Sequence, residues 1–226
     1  MNNSSENEVA NSIVRYKNVL SEETYKTVKD LILGPFLPYY YTYRTIVEES
    51  FGDMEKSQSM LIAPITDKTK DAMQFQHKFV HNYEPNSHSY DVCALFLQEA
   101  VRKCGLPPYR VVRVQANLMI ADALFPIGFY NRPHIDNADL DDGGAKARYK
   151  TLLYYVNDSD GDTFIFNELF NGEPPALTVA KTVTPVANTA VFFDSHRYHT
   201  SSSPRKTEVR AIINTVFDTQ PQLENK

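Results

Sequence analysis

The chain has 226 residues, 42% of them hydrophobic, which is enough for one large domain with a buried core and excludes wholesale disorder. A formal net charge of -5 gives no global attraction to a phosphate backbone, so a nucleic-acid partner is not expected. No apolar run approaches the roughly 18–20 residues of a membrane span, and the N-terminus has no signal-peptide pattern. A soluble, cytoplasmic protein is the expectation.

Residues 1–10 are polar and read as a disordered tail. Ser21 then caps a helix with Glu22 and Glu23 in its first turn, where the helix dipole favours acids. Tyr25, Val28, Leu31 and Ile32 recur at helical spacing until Gly34-Pro35. The tyrosines at 39, 40, 41 and 43 read as a strand, with a substrate groove as the alternative. Residues 48–72 are polar and irregular and read as a surface excursion.

Met73, Phe75, His77, Phe79 and His81 alternate along one strand face. His77 and His81 would lie about 13 Å apart along such a strand, too far to share an ion. Asp91 to Gly105 reads as an amphipathic helix with Val92, Leu95, Phe96, Ala100 and Val101 inward. Cys93 and Cys104, the two cysteines, stand roughly 16 Å apart on it, beyond disulfide reach, and read as reduced core thiols.

From Arg110 the texture becomes strands. One face of 111–120 is aliphatic and the other carries Arg113, Gln115 and Asn117, which either line a cavity or meet solvent. Loops at 121–133 and 137–149 follow, with lengths typical of binding loops. Short strand-like runs at 151–156, 163–166, 177–186, 189–194 and 208–217 then argue for a sandwich or barrel. Asp158 to Asp162 reads as a hairpin turn, since a calcium loop would need Glu where Leu169 stands. The layout is α+β and mainly β, one compact domain: a helical and strand support over 11–108, a core over 109–218 and a tail over 219–226.

Within the core, His134 and Asp136 point to one face of an extended segment while Ile135 points to the other. With one distant histidine they make a 2-His-1-carboxylate set, the ligand set of a non-haem Fe(II) centre with three open positions. His196 and His199 are both candidates for the third place. Arg210, on a strand between aliphatic residues, would be costly to bury without an anion.

These residues resemble the 2-oxoglutarate- and Fe(II)-dependent dioxygenases, in particular the prolyl 4-hydroxylase-like branch. The match runs through His134-x-Asp136-Asn137, Thr151 to Asn157, Asp160 to Phe166, Val183-Thr-Pro185, Ala190 to Phe193, His199, Pro204 and Arg210. The resemblance implies a double-stranded β-helix, or jelly roll, with the metal at its open mouth. It selects His199 over His196, so that His134, Asp136 and His199 would be the catalytic metal ligands. It implies that Arg210 and Tyr155 hold the far carboxylate of 2-oxoglutarate, with Asn214 and Asn117 as further co-substrate contacts and Tyr130 as a co-substrate or substrate contact. The implied cofactors are Fe(II), 2-oxoglutarate and O2, with ascorbate as an added reductant. The implied reaction is hydroxylation of a C–H bond, with release of succinate and CO2. The substrate expectation is a prolyl residue of a peptide or protein. The alternatives are a free amino acid or other small molecule, or a non-catalytic jelly-roll binding module.

Overall fold

The computed structural model describes residues 12–43, 66–106, 109–136, 148–170 and 176–219. The tails at 1–10 and 220–226, most of the 48–72 excursion, Asn137 and nearly all of the 137–149 loop lie outside the described residues.

The strands are β1 (Val14–Lys17), β2 (Tyr40–Thr42), β3 (Gln74–His81), β4 (Glu84–Pro85), β5 (Arg110–Ile120) and β6 (Tyr149–Tyr155). They continue with β7 (Thr163–Leu169), β8 (Val179–Val183), β9 (Thr189–Asp194), β10 (Arg197–Ser201) and β11 (Val209–Asp218). The helices are α1 (Glu22–Leu33) and α2 (Tyr90–Cys104). All strand pairs within the sheets are antiparallel. The large sheet runs β1-β9-β6-β11-β5-β3-β2, with β4 on β3, and a small sheet runs β10-β7-β8. Two such facing sheets make the jelly roll.

Period-two alternation sorts side chains between the two sides of the large sheet. Tyr154, Ala190, Ala211 and Ile213 turn toward Val28, Ile32, Phe96 and Ala100 of the helices. Leu153, Tyr155, Val191, Phe193 and Ile212 turn the other way and meet Ile165 and Val183 of the small sheet. The site lies on this second side. Strands β1 to β4 extend the large sheet at both edges, so the N-terminal part supplies strands as well as helices.

The hydroxyl of Ser21 accepts the Thr24 N–H at the start of α1, as a capping serine should. Helix α2 ends at Gly105, whose φ of 60° is left-handed and strained for any side chain. Its buried face is Cys93, Phe96, Leu97, Ala100 and Cys104, while Leu95 is exposed. The expected inward face is therefore turned by part of a turn, because the cysteines count as core residues there. Both thiols are free and buried, and burial pushes each up to about 12.

Two further expectations change. The 156–162 segment is not a hairpin: β6 and β7 belong to different sheets, and this turn carries the chain from one to the other. Asp160 there accepts backbone N–H groups of Arg205, Lys206 and Thr207, tying the crossover to the turn before β11. The alternation of β3 is broken by a bulge between Lys78 and Val80, so Phe79 and Val80 are both buried and His81 is exposed. His77 is buried, bonded through one ring nitrogen to the Pro38 carbonyl and through the other to the Ser87 hydroxyl. The tyrosines at 40, 41 and 43 lie exposed on and beside edge strand β2. Among the described residues, no helix is long and apolar enough to cross a membrane.

Candidate active site

His134 precedes β6 in an extended segment that runs beside β10. The His134 N–H donates to the His199 carbonyl at 3.0 Å, and the His199 N–H returns to the His134 carbonyl at 2.9 Å. Two residues on, the Asp136 N–H donates to the Ser195 carbonyl at 3.0 Å. Ile135 turns away into an aromatic cluster of Tyr130, Phe166, Phe170 and Tyr198. This anchoring aims His134, Asp136 and His199 at one point: a ligand atom from each lies within 4.8 Å of the others. His199 Nε2 stands 3.4 Å from Asp136 Oδ2. His196 is elsewhere, its Nδ1 3.5 Å from Asp194.

The donor set is prepared for a cation. His199 Nδ1 donates to the Arg197 carbonyl at 3.0 Å, which orients the ring so that Nε2 faces Asp136. Burial, with His199 close by, lowers the pKa of His134 to about 3, so its ring is neutral. Asp136 loses solvation on burial, yet His199, Arg113 and His134 together hold its carboxyl well below the usual range. Two imidazoles and one carboxylate fit a divalent transition metal such as iron.

Asp136 is itself held by three strands. Arg113 of β5 donates to Oδ1 at 2.5 Å, Thr151 of β6 donates to Oδ2 at 2.8 Å, and the Asn214 amide of β11 reaches both oxygens at 3.1 and 3.2 Å. The polar face of β5 therefore turns inward. The Asn214 amide nitrogen is engaged by Asp136, while its carbonyl oxygen is buried without a hydrogen-bond partner among the described residues. Asn117 accepts the Gln115 amide at 2.5 Å, so its oxygen is taken by a neighbour on its own strand. Tyr130 packs edge-on against Phe166 in the aromatic cluster.

Arg210 lies on the same face of β11 as Asn214, four residues earlier, and is 3% exposed. Its Nε donates to the Gly161 carbonyl at 2.9 Å and its Nη2 to the Thr163 hydroxyl at 2.8 Å. Among the described residues it makes no ion pair. Burial lowers the guanidinium pKa, with Tyr155 and Asp162 opposing. The Tyr155 hydroxyl donates to the same Thr163 oxygen at 3.0 Å, and burial pushes Tyr155 up to about 12 despite Arg210. A buried guanidinium fork with only neutral partners is a receptor for a carboxylate. Thr163, Thr151 and the Asp136 contact of Arg113 had no signal in spacing, since their partners come from distant strands.

The comparisons agree with this geometry. Residues 120–218 match the family model of the 2OG-Fe(II) oxygenase superfamily. No curated protein sequence matches the chain. A 2OG-Fe(II) oxygenase family oxidoreductase from Burkholderia pseudomallei superposes with a TM-score of 0.57 at 13% identity, covering 97% of this chain and 93% of that one. A prolyl hydroxylase from Trichoplax adhaerens, in complex with a hypoxia inducible factor peptide fragment, gives 0.52 at 13% identity over 95% and 89%. HygX from Streptomyces hygroscopicus, with nickel and 2-oxoglutarate bound, gives 0.55 at 10% identity over 94% and 84%. At these identities the superpositions establish the shared jelly roll.

Fold, triad and the match over 120–218 mark that part of the chain as a 2OG-Fe(II) oxygenase domain. That superfamily uses Fe(II), 2-oxoglutarate and O2, and the match over 120–218 supports a 2-oxoglutarate-dependent dioxygenase.

Proposed function

We propose that this oxygenase hydroxylates a C–H bond of a prolyl residue in a peptide or protein. In this reading 109–218 is the catalytic core and 11–108 its support. His134, Asp136 and His199 hold the iron, and Arg210 takes the far carboxylate of 2-oxoglutarate. The bound metal and keto acid supply the activation of dioxygen, with release of succinate and CO2. The chain orients both partners. Thr163 accepts from Arg210 and Tyr155 together, which fixes the guanidinium plane before the co-substrate arrives. Desolvation by the buried walls strengthens each of these contacts. The observation that carries the site assignment is the buried, counterion-free Arg210 on the strand that also supports Asp136 through Asn214.

The prolyl reading rests on the resemblance of the core motifs to that branch and on the fold shared with the Trichoplax prolyl hydroxylase. A small-molecule substrate is the second reading, favoured by equal or better superposition on HygX and on the carbocyclase SnoK from nogalamycin biosynthesis, the latter with a TM-score of 0.57. The purified chain with Fe(II), 2-oxoglutarate and ascorbate should convert a proline-containing peptide library to products heavier by one oxygen atom. Succinate formed only with free amino acids or other small molecules would overturn the prolyl reading.

A further inference from the structure

We propose that Arg113 is a positioning residue of the metal centre: it holds Asp136 Oδ1 away from the ion, so that Asp136 binds through Oδ2 alone. The inference rests on the assignment of His134, Asp136 and His199 as ligands. The two carboxylate oxygens have different surroundings. Oδ2 faces His199 Nε2 at 3.4 Å and receives the Thr151 hydroxyl at 2.8 Å. Oδ1 is drawn the other way by Arg113 Nη2 at 2.5 Å, while the Asn214 amide is shared between the two oxygens at 3.1 and 3.2 Å. The ion pair is shielded from water, with the Asp136 side chain 1% and the Arg113 side chain 13% exposed.

One-oxygen binding has a chemical consequence. A facial set of three donors leaves three positions on a six-coordinate ion, two for the keto-acid chelate and one for dioxygen. A carboxylate that bound through both oxygens would occupy one of them. Arg113, the donor specific to Oδ1, would engage that oxygen and so keep the position open.

The sign of one measurement decides the matter. A guanidinium near a divalent ion repels it, so electrostatics alone predicts that removing Arg113 tightens metal binding. Positioning predicts the opposite, because partners that orient a ligand typically contribute about 10–100-fold in metal affinity. Arg113→Met keeps length and loses every donor, whereas Arg113→Lys keeps the charge and a single point donor. Mn(II) binding to the full chain is followed through the electron paramagnetic resonance signal of the free ion. Melting in chelator reports on folding of the metal-free protein. Arg113→Met is expected to bind Mn(II) about 10–100-fold more weakly, with Arg113→Lys recovering part of the loss. Should Arg113→Met not fold, Arg113→Gln carries the same comparison. Wild-type or tighter Mn(II) affinity in the uncharged variant overturns the role of Arg113. Wild-type affinity in Asp136→Ala as well would overturn the ligand assignment with it.

Discussion

His134 and His199 exchange both backbone hydrogen bonds, at 3.0 and 2.9 Å, and their rings lie with centroids 4.5 Å apart. This is a hydrogen-bonded antiparallel pair, a geometry that main-chain groups fix without help from either ring. The separation of the two imidazoles therefore belongs to the backbone. His134→Ala and His199→Ala should fold, melting in chelator within a few degrees of the parent. Each should lose more Mn(II) affinity than the roughly 10–100-fold associated with orienting partners, and succinate formation should vanish. Full turnover in either variant would remove that histidine from the ligand set.

Arg210 is a buried cation held by neutral acceptors, which is costly in the absence of an anion. Arg210→Met should leave the melting temperature without 2-oxoglutarate unchanged or higher. Two lost charge-assisted hydrogen bonds, at about 1.5–3 kcal/mol each, correspond to a co-substrate affinity lower by roughly 10²-fold or more. Thermal melting without co-substrate measures the first, and calorimetric titration of 2-oxoglutarate into the Mn(II)-loaded variant the second. An unchanged affinity would place the far carboxylate elsewhere.

Gly161 makes room for that arginine. A methyl group there would sit 2.9 Å from Arg210 Cδ and 2.8 Å from the Ser202 carbonyl oxygen, closer than side-chain carbons approach. Gly161→Ala should cost about 1–3 kcal/mol in urea unfolding, as overpacked sites do. Because the arginine stem is the one side chain among the groups in the way, the KM for 2-oxoglutarate should rise as well. A stability loss with an unaltered KM would show that the crossover yields instead.

The cysteines make a prediction about pH. Burial raises Cys93 and Cys104 to about 12, above the roughly 8.5 of an unfolded thiol. Their stabilising contribution is complete below about 8.5 and falls away as the pH climbs toward 12, because the unfolded chain releases those protons first. At pH 8 the native protein should be inert to a thiol reagent and the denatured protein should titrate both groups. Cys93→Ser should flatten the alkaline decline in stability. Rapid native-state labelling at pH 8 would contradict this.

Much of the site was legible because the relevant residues lie close in sequence or alternate. His134 and Asp136 share a face by strand periodicity, and Ile135 packs on the other side as that periodicity requires. The inward polar row of β5 was visible as a row, but alternation cannot say whether a row meets water or a cavity. Contacts between strands were not legible. Thr163 stands 47 positions from Arg210, and only the seating of the small sheet on the large one brings them together. For the same reason the contact of the Asn214 amide with Asp136 was not legible: facing the same way as Arg210 says nothing of a carboxylate from another segment. Leu95 and the misread hairpin at 158–162 have one origin, since a local pattern shows that a face or a turn exists but leaves open which partner it meets.

The most direct test is the binding of 2-oxoglutarate with and without metal, measured on the parent chain, Asp136→Ala and Arg210→Met. The account predicts tight binding to the Mn(II)-loaded parent, weak binding to the metal-free parent and to Asp136→Ala, and a loss in Arg210→Met that added metal does not restore. Equal affinity in the parent and Asp136→Ala, with or without Mn(II), would contradict it.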